Sequence, residues 1–314
     1  MRVLVTGGSG VAGKAVVAAL RARGLDVVLL DRRAGLDGNL RASVEAIIHC
    51  AGRSDFSIAA DEADEANVAL TGRILDFAAS CRHLDRIVLL STVYVAGRRT
   101  GVIREDELEH DAGFVNEYER SKYAMELLAT RRRASLPIAI CRLSTILGDS
   151  SGRIERFAAA HRALSLYYHG LVPMIPGVPE APVDLITSDF AAERIAERLV
   201  DFRPVTTHVC AGPFAPSLER FLARTEELFA EIDPRWKARA VERPPIVSEA
   251  TFARFERSVT ETGDAILGQI VASVRDFLPQ LARPKTFDTE TPYEGFEGDY
   301  PRILRSVVRS RAAG

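Results

Sequence analysis

Residues 3–31 read VLVTGGSGVAGKAVVAALRARGLDVVLLD. A short apolar run, Val3 to Val5, enters a glycine turn; a helix-periodic segment follows from Val11 to Arg23, and a second apolar run, Val27 to Leu30, ends on Asp31. Strand, turn, helix and strand in that order make a βαβ unit. Within the turn, Gly7, Gly10 and Gly13 keep the spacing GxxGxxG. Each meets a steric demand of a dinucleotide site: a tight turn, close approach of backbone to a pyrophosphate, and tight packing of helix on strand. Gly7, Ser9, Gly10, Val11 and Gly13 are therefore the candidate phosphate-binding residues. At the end of the second strand, Asp31 would accept hydrogen bonds from the adenine-ribose hydroxyls and repel a 2′-phosphate, which leans to NAD. Arg32 and Arg33 follow at once and could pair with such a phosphate, so NADP stays open.

Further apolar runs lie at Ala46 to His49, Ile87 to Ser91 and Ile138 to Leu143, separated by helical patterns over Asp61 to Cys81 and Tyr118 to Arg133. The order predicts an α/β fold, a Rossmann-type doubly wound parallel sheet, with a smaller, mostly helical C-terminal lobe. Between Asp31 and Ala46 there is room for little more than a turn, so the third strand and its helix are trimmed or missing. After Gly148 the character changes, and LSLYYHGLVPMIPGVPEAPVDL (164–185) holds four prolines between Pro173 and Pro182, a pattern for loops and a short helix. Asp189 is expected to cap a helix from Phe190 to Leu199, and RSVVRSRAAG (305–314) to be a frayed, solvated terminus. The domain reading is 1–147 plus 182–211 for the dinucleotide-binding part, and 148–181 plus 212–314 for a substrate lobe.

With 314 residues, 47% hydrophobic and 27% charged, and a net charge of −2, the composition is that of a globular protein with no nucleic-acid surface. Its partners are expected to be small molecules or proteins. Cys50, Cys81, Cys141 and Cys210 are far apart, with no CxxC and no histidine at a ligand spacing, which predicts reduced thiols and no metal. The first apolar run is too short for a signal peptide or a membrane span, so a cytoplasmic location is expected.

In FVNEYERSKYAMELL (114–128), Tyr118 and Lys122 lie four apart and share one helix face. Upstream, IVLLSTVYVAG (87–97) places Ser91 and Thr92 at the C-terminal end of an apolar strand, where ligands sit in a doubly wound sheet. Tyrosine, with an ordinary pKa of about 10, is a poor base at neutral pH. A neighbouring ammonium would favour its phenolate and bring it toward the working range. A Thr92 hydroxyl on the substrate oxygen, Tyr118 as proton donor or acceptor, and a nicotinamide for the hydride would complete a reductase.

These residues resemble the extended short-chain dehydrogenase/reductase superfamily. STVYVAG (91–97), EDELEHDAGFVNEYERSKYAMELL (105–128), CRLSTILGDSSGRI (141–154) and LVPMIPGVPEAPVDLITSDF (171–190) resemble its thioester-reductase and fatty-acyl-CoA-reductase branch, also called male-sterility-like. The resemblance spans about residues 1 to 215. It implies Thr92 as catalytic hydroxyl with Ser91 beside it, Tyr118 as acid/base, and Lys122 on the ribose hydroxyls. It also implies Ala51 and Gly52 beneath the cofactor, Leu143 and Ser144 near the nicotinamide, and Asn67 bracing the active-site helix. Leu143 stands where the family has proline. Asn67, Tyr94, Tyr167 and Tyr168 are candidates on the substrate side.

The activity so implied is NAD(P)H-dependent reduction of an acyl thioester on CoA or a carrier protein, or of the derived aldehyde or ketone. A carrier would act in trans, and a homodimer could form through the catalytic helices. The alternatives are a nucleotide-sugar epimerase or dehydratase, a simple carbonyl reductase, and a noncatalytic NAD(P)-sensing protein. Residues 164–178 and the lobe after 212 are expected to wall a largely apolar cleft, because LSLYYHGLVPMIPGV offers no arginine to a sugar diphosphate.

Overall fold

The computed structural model describes residues 1–30, 38–275 and 278–310; Asp31, Arg32 and Arg33, the expected selectors of NAD or NADP, lie outside them. The chain opens as β1 (Arg2–Thr6), α1 (Val11–Ala22), β2 (Asp26–Leu29), the short α2 (Gly38–Ser43) and β3 (Ala46–His49). Next come α3 (Ala60–Ala63), a π-helical turn (Asp64–Ala69), α4 (Leu70–Ser80), β4 (Arg86–Thr92) and β5 (Gly101–Ile103). They are followed by α5 (Glu117–Arg132), β6 (Ile138–Leu143), β7 (Thr145–Gly148), α6 (Ala159–Tyr168), β8 (Ile175–Pro176) and β9 (Leu185–Thr187). The remainder is α7 (Ser188–Val200), β10 (Thr206–Val209), α8 (Leu218–Ile232), β11 (Ile246–Val247), α9 (Glu249–Thr262), α10 (Ala265–Arg275), β12 (Lys285–Phe287) and α11 (Phe296–Arg309).

Six strands form one parallel sheet in the order β10-β6-β4-β3-β1-β2. Parallel strands covered on both faces need apolar residues at every position, and the period of two divides them between two cores. Val3, Val5, Ile48, Val88 and Cys141 meet α1 and α7 on one face; Leu4, Ile47, Ile87, Leu89 and Ile140 meet α4 and α5 on the other. Among the described residues only α2 lies between β2 and β3, and no further strand lies beyond β2 at that edge of the sheet. A second apolar core gathers Leu164, Tyr167, Phe221, Phe229, Trp236, Tyr300 and Leu304 from α6, α8, α11 and the turn after α8.

Two expectations about helix ends fail. Thr187, not Asp189, caps α7, its hydroxyl accepting from Phe190 N at 3.4 Å, while Asp189 in the first turn accepts from Ser150 N at 3.0 Å. The stretch from Arg305 to Arg309 is helical rather than frayed. Val307 is fully buried in the second core, so apolar packing of one face outweighs the basic residues on the other.

Candidate active site

The glycine turn is a steric necessity of the fold. Gly7 has φ +68°, a conformation that costs L-residues, and a Cβ there would lie 2.5 Å from Ala51 N. A Cβ on Gly13 would lie 2.1 Å from Gly7 O, and Gly10 N donates to Gly7 O at 3.0 Å. The turn thereby brings the N-terminus of α1 down onto the end of β1. Gly10 caps the helix without a side-chain bond, so the backbone donors of its first turn are not taken by a cap.

Gly10, Val11 and Gly13 line a cavity of about 870 Å³ together with Ala51, Gly52, Asn67, Ser91, Thr92, Tyr94, Tyr118, Lys122, Leu143 and Ser144. Residues separated by more than a hundred positions meet because the loops leaving β1, β3, β4 and β6 all emerge at the C-terminal edge of one sheet. Gly7 supports the cavity through its contact with Ala51, and Ser9 is exposed on the turn.

At the floor, Thr92 Oγ1 accepts from Tyr94 N at 3.3 Å. Burial pushes the Tyr118 phenol up to about 12, and a hydrogen bond with Thr92 pulls the other way. Lys122 Nζ donates to Leu90 O at 2.7 Å and approaches Met125 Sδ at 3.3 Å. Burial pulls it down to about 8 against the attraction of Glu126 and Cys50. The ammonium is thus engaged by the strand backbone, and the expectation that it lowers the Tyr118 pKa is replaced by burial acting in the opposite direction. Ser91 Oγ is buried and without a hydrogen-bond partner. A buried hydroxyl left unpaired beside a glycine cradle fits a dinucleotide seated there. Lys122, Ser91 and the first turn of α1 would hold it.

Asn67 ties three segments together. Its Oδ1 accepts from Arg53 N at 2.9 Å, and its Nδ2 donates to Arg53 O at 3.2 Å and to Ser121 Oγ on α5 at 2.8 Å. With all its polar atoms so engaged, it serves the frame of the site rather than substrate. Ser144 Oγ donates to Asp184 O at 2.8 Å, and Tyr94 OH shares a 2.7 Å bond with Thr145 Oγ1.

Tyr167 and Tyr168 are not brought to the cavity. Their rings pack on Phe229, at 5.7 and 5.2 Å between centroids, and their hydroxyls donate to Glu226 and Asp233. Of the expected wall, Leu164, Tyr167, Val172 and Ile175 line, with Leu218, Phe221, Leu222 and Leu281, a smaller apolar pocket of about 60 Å³ that shares Leu147 and Ala160 with the cavity; the cavity itself is bounded by 144–148, 154–162 and part of α10. Nor is the wall free of arginine, since Arg53, Arg156, Arg162 and Arg275 all line it. The proline-rich stretch 164–185 holds none of these arginines. The available signals were Arg53 directly after HCAG and Arg156 and Arg162 in the insertion after β7. Phe56, with its ring 5.4 Å from that of Tyr118, was also missed. Among the described residues no group of three or more His, Cys, Asp or Glu could hold a metal, and no helix is long and apolar enough to cross a membrane.

A family model described as male sterility protein, of NAD-binding type, matches residues 35–195, just over half of the chain. No curated protein matches the chain. Among solved structures, the terminal R domain from the myxalamid PKS-NRPS biosynthetic pathway has a TM-score of 0.69 at 19% identity, covering 98% of this chain and 89% of that one. MoeE5, in complex with UDP-glucuronic acid and NAD, has a TM-score of 0.67 at 19% identity, covering 99% and 100%. UDP-glucuronic acid 4-epimerase from Bacillus cereus, in complex with NAD, has a TM-score of 0.66 at 15% identity, covering 98% and 100%. At such identities the likeness is one of fold, the fold of extended short-chain dehydrogenase/reductases. With its family signature running from residue 35, ahead of α2, through the Thr92, Tyr118 and Lys122 region into α7, the chain belongs to the NAD-binding male sterility protein family.

Proposed function

We propose that the chain is an NAD(P)H-dependent oxidoreductase that reduces an acyl thioester, or the aldehyde or ketone derived from it. The observation that carries this reading is the floor of the cavity, where Thr92 and Tyr118 both lie, with Lys122 buried on the same helix as Tyr118 and the first turn of α1 on the same cavity. Bound in the glycine cradle, NAD(P)H supplies the hydride. Thr92 Oγ1 donates to the substrate oxygen and orients the carbonyl. Tyr118 is protonated at neutral pH because burial holds its pKa high. It is therefore set to give a proton to that oxygen as negative charge develops, which is the direction of reduction. From a thioester this yields a hemithioacetal; its C–S bond then breaks, the thiolate leaves and takes up a proton, and the aldehyde remains. Ile146, Leu147, Ile154 and Phe157 make an apolar side of the cavity suited to the acyl portion. In this reading residues 148–181 and 212–314 form the substrate lobe.

A nucleotide-sugar epimerase or dehydratase is the second reading, and the arginines of the cavity favour it, because guanidinium groups match a diphosphate. The deciding experiment follows NADH and NADPH oxidation with acyl-CoA thioesters and aliphatic aldehydes, and follows conversion of UDP-sugars in parallel. Faster reduction of thioesters or aldehydes is the expected result. Turnover confined to UDP-sugars would assign the site to the second reading.

A further inference from the structure

The chain carries a net charge of −2, yet the cavity is lined by four arginines drawn from three distant segments. Two carboxylates line it as well, and both are engaged: Asp55 faces Arg53 at 3.7 Å, and Glu155 pairs with Lys14 of α1. Arg275 reaches Glu256 at 3.1 Å. Arg156, in the approach to α6, and Arg162, in its first turn, are exposed and form no ion pair among the described residues. Asp55, already facing Arg53, is also attracted by Arg156, which leaves the cationic charge of the cavity wall only partly offset; a bound anion would lower it further. The guanidinium fork matches phosphate oxygens in pairs. The dinucleotide's own pyrophosphate is already provided for by the first turn of α1.

We infer that Arg156 and Arg162, supported by Arg275, anchor a phosphate or pyrophosphate group of the substrate. The anchor fixes the far end of a phosphorylated arm, and the reacting carbon at the other end reaches Thr92 and Tyr118. This rests on the oxidoreductase reading of the same cavity. A CoA or phosphopantetheine arm and a nucleotide diphosphate present the same chemistry to the arginines, and the test separates them.

The full chain, saturated with NADH, is titrated calorimetrically with CoA, UDP and inorganic pyrophosphate at several salt concentrations. Wild type, Arg156→Gln, Arg162→Gln and the double variant are compared, with thermal melts as the folding control. At least one probe should bind wild type, more weakly as salt rises. Each single variant should lose roughly tenfold in affinity and the double roughly a hundredfold, while NADH affinity is kept. CoA binding without UDP binding identifies a thioester arm, and the reverse identifies a nucleotide sugar. If the glutamine double variant does not fold, the Arg156→Lys, Arg162→Lys pair keeps the charge and loses the fork, and should still bind severalfold more weakly. Equal binding to wild type and double variant, no binding of any probe at millimolar concentration, or a loss falling on NADH instead of the probes would overturn the anchor. Failure of the oxidoreductase reading appears separately, as wild type that binds a probe through these arginines yet oxidises NAD(P)H with no carbonyl or thioester, phosphorylated or not.

Discussion

Tyr118 and Lys122 are shifted in opposite senses by one cause, the removal of water from their end of α5. The phenol rises to about 12 and the ammonium falls to about 8. Replacing Tyr118 by Phe removes the proposed proton donor and keeps the ring that Phe56 packs against. Turnover should fall by about 10² to 10⁴, the usual contribution of general acid catalysis, with NADH affinity retained. Fluorescence titration beside the rate assay checks both. The pH profile tests Lys122. It is charged below about 8 and neutral above, so a rate that needs its ammonium holds below that value and falls as pH rises through it. A plateau continuing to pH 10 would separate Lys122 from the chemistry. The tyrosine–lysine spacing was visible in the sequence because it is local to one helix. The direction of each shift was not, since it depends on what covers the pair.

At the scale of elements, the frame of the site rests on two places where regular structure is broken on purpose. The first is the glycine turn. Gly13→Ala puts a methyl 2.1 Å from Gly7 O, so the turn must open, and NADH binding should be lost or reduced by more than tenfold in the same titration. The second is the π-helical turn Asp64–Ala69 that carries Asn67. Asn67→Ala deletes the bonds to Arg53 N, Arg53 O and Ser121. Buried groups left unpaired cost about 1–3 kcal/mol each, so urea unfolding should show a loss of several kcal/mol at most. An unchanged urea midpoint would mean that Asn67 does not brace α5. The GxxGxxG spacing announced the first break, because only glycine meets those steric demands. The second was hidden inside the helical pattern from Asp61 to Cys81, since a single wide turn barely disturbs hydrophobic periodicity.

Across the whole molecule, α5 is also the point where the C-terminal segment is tied to the sheet. Glu119, next to Tyr118 and fully buried, accepts from Val115 N at 2.9 Å and from Gln280 Nε2, and it is attracted by Lys285, Arg283 and Arg98. Lys285 lies on β12, which pairs with β5, and its ammonium donates to Gly97 O. Burial raises Glu119 to about 7 from the ordinary 4.5. The native state therefore holds a proton that the unfolded chain has released between these values. The stability contribution is complete below about 4.5 and is lost as pH rises through about 7. Glu119→Gln stays neutral throughout, so its melting temperature should gain on wild type progressively from pH 4.5 to 7. A difference independent of pH across that window would show that Glu119 does not titrate there.

What the residues determined by themselves is the βαβ start, the parallel sheet, and the placing of Ser91 and Thr92 at a strand end and of Tyr118 and Lys122 on one helix face, all of which line the cavity. Those readings rest on spacing within a strand, a turn or a helix, and such spacing survives whatever packs around it. Tertiary structure alone decided the walls of the cavity. Arg53, Arg156, Arg162 and Arg275 come to line one cavity because β-strand ends and lobe helices converge there, a relation that no separation along the chain encodes. Tyr167 and Tyr168, conspicuous beside the prolines, turned instead to Phe229 and the carboxylates of Glu226 and Asp233. A second apolar core was available to bury them, and burial of aromatic surface with the hydroxyls satisfied outweighs exposure in a cleft. The same core drew in Val307 and made a helix of a basic terminus, because a helix so short holds its form through the face it buries.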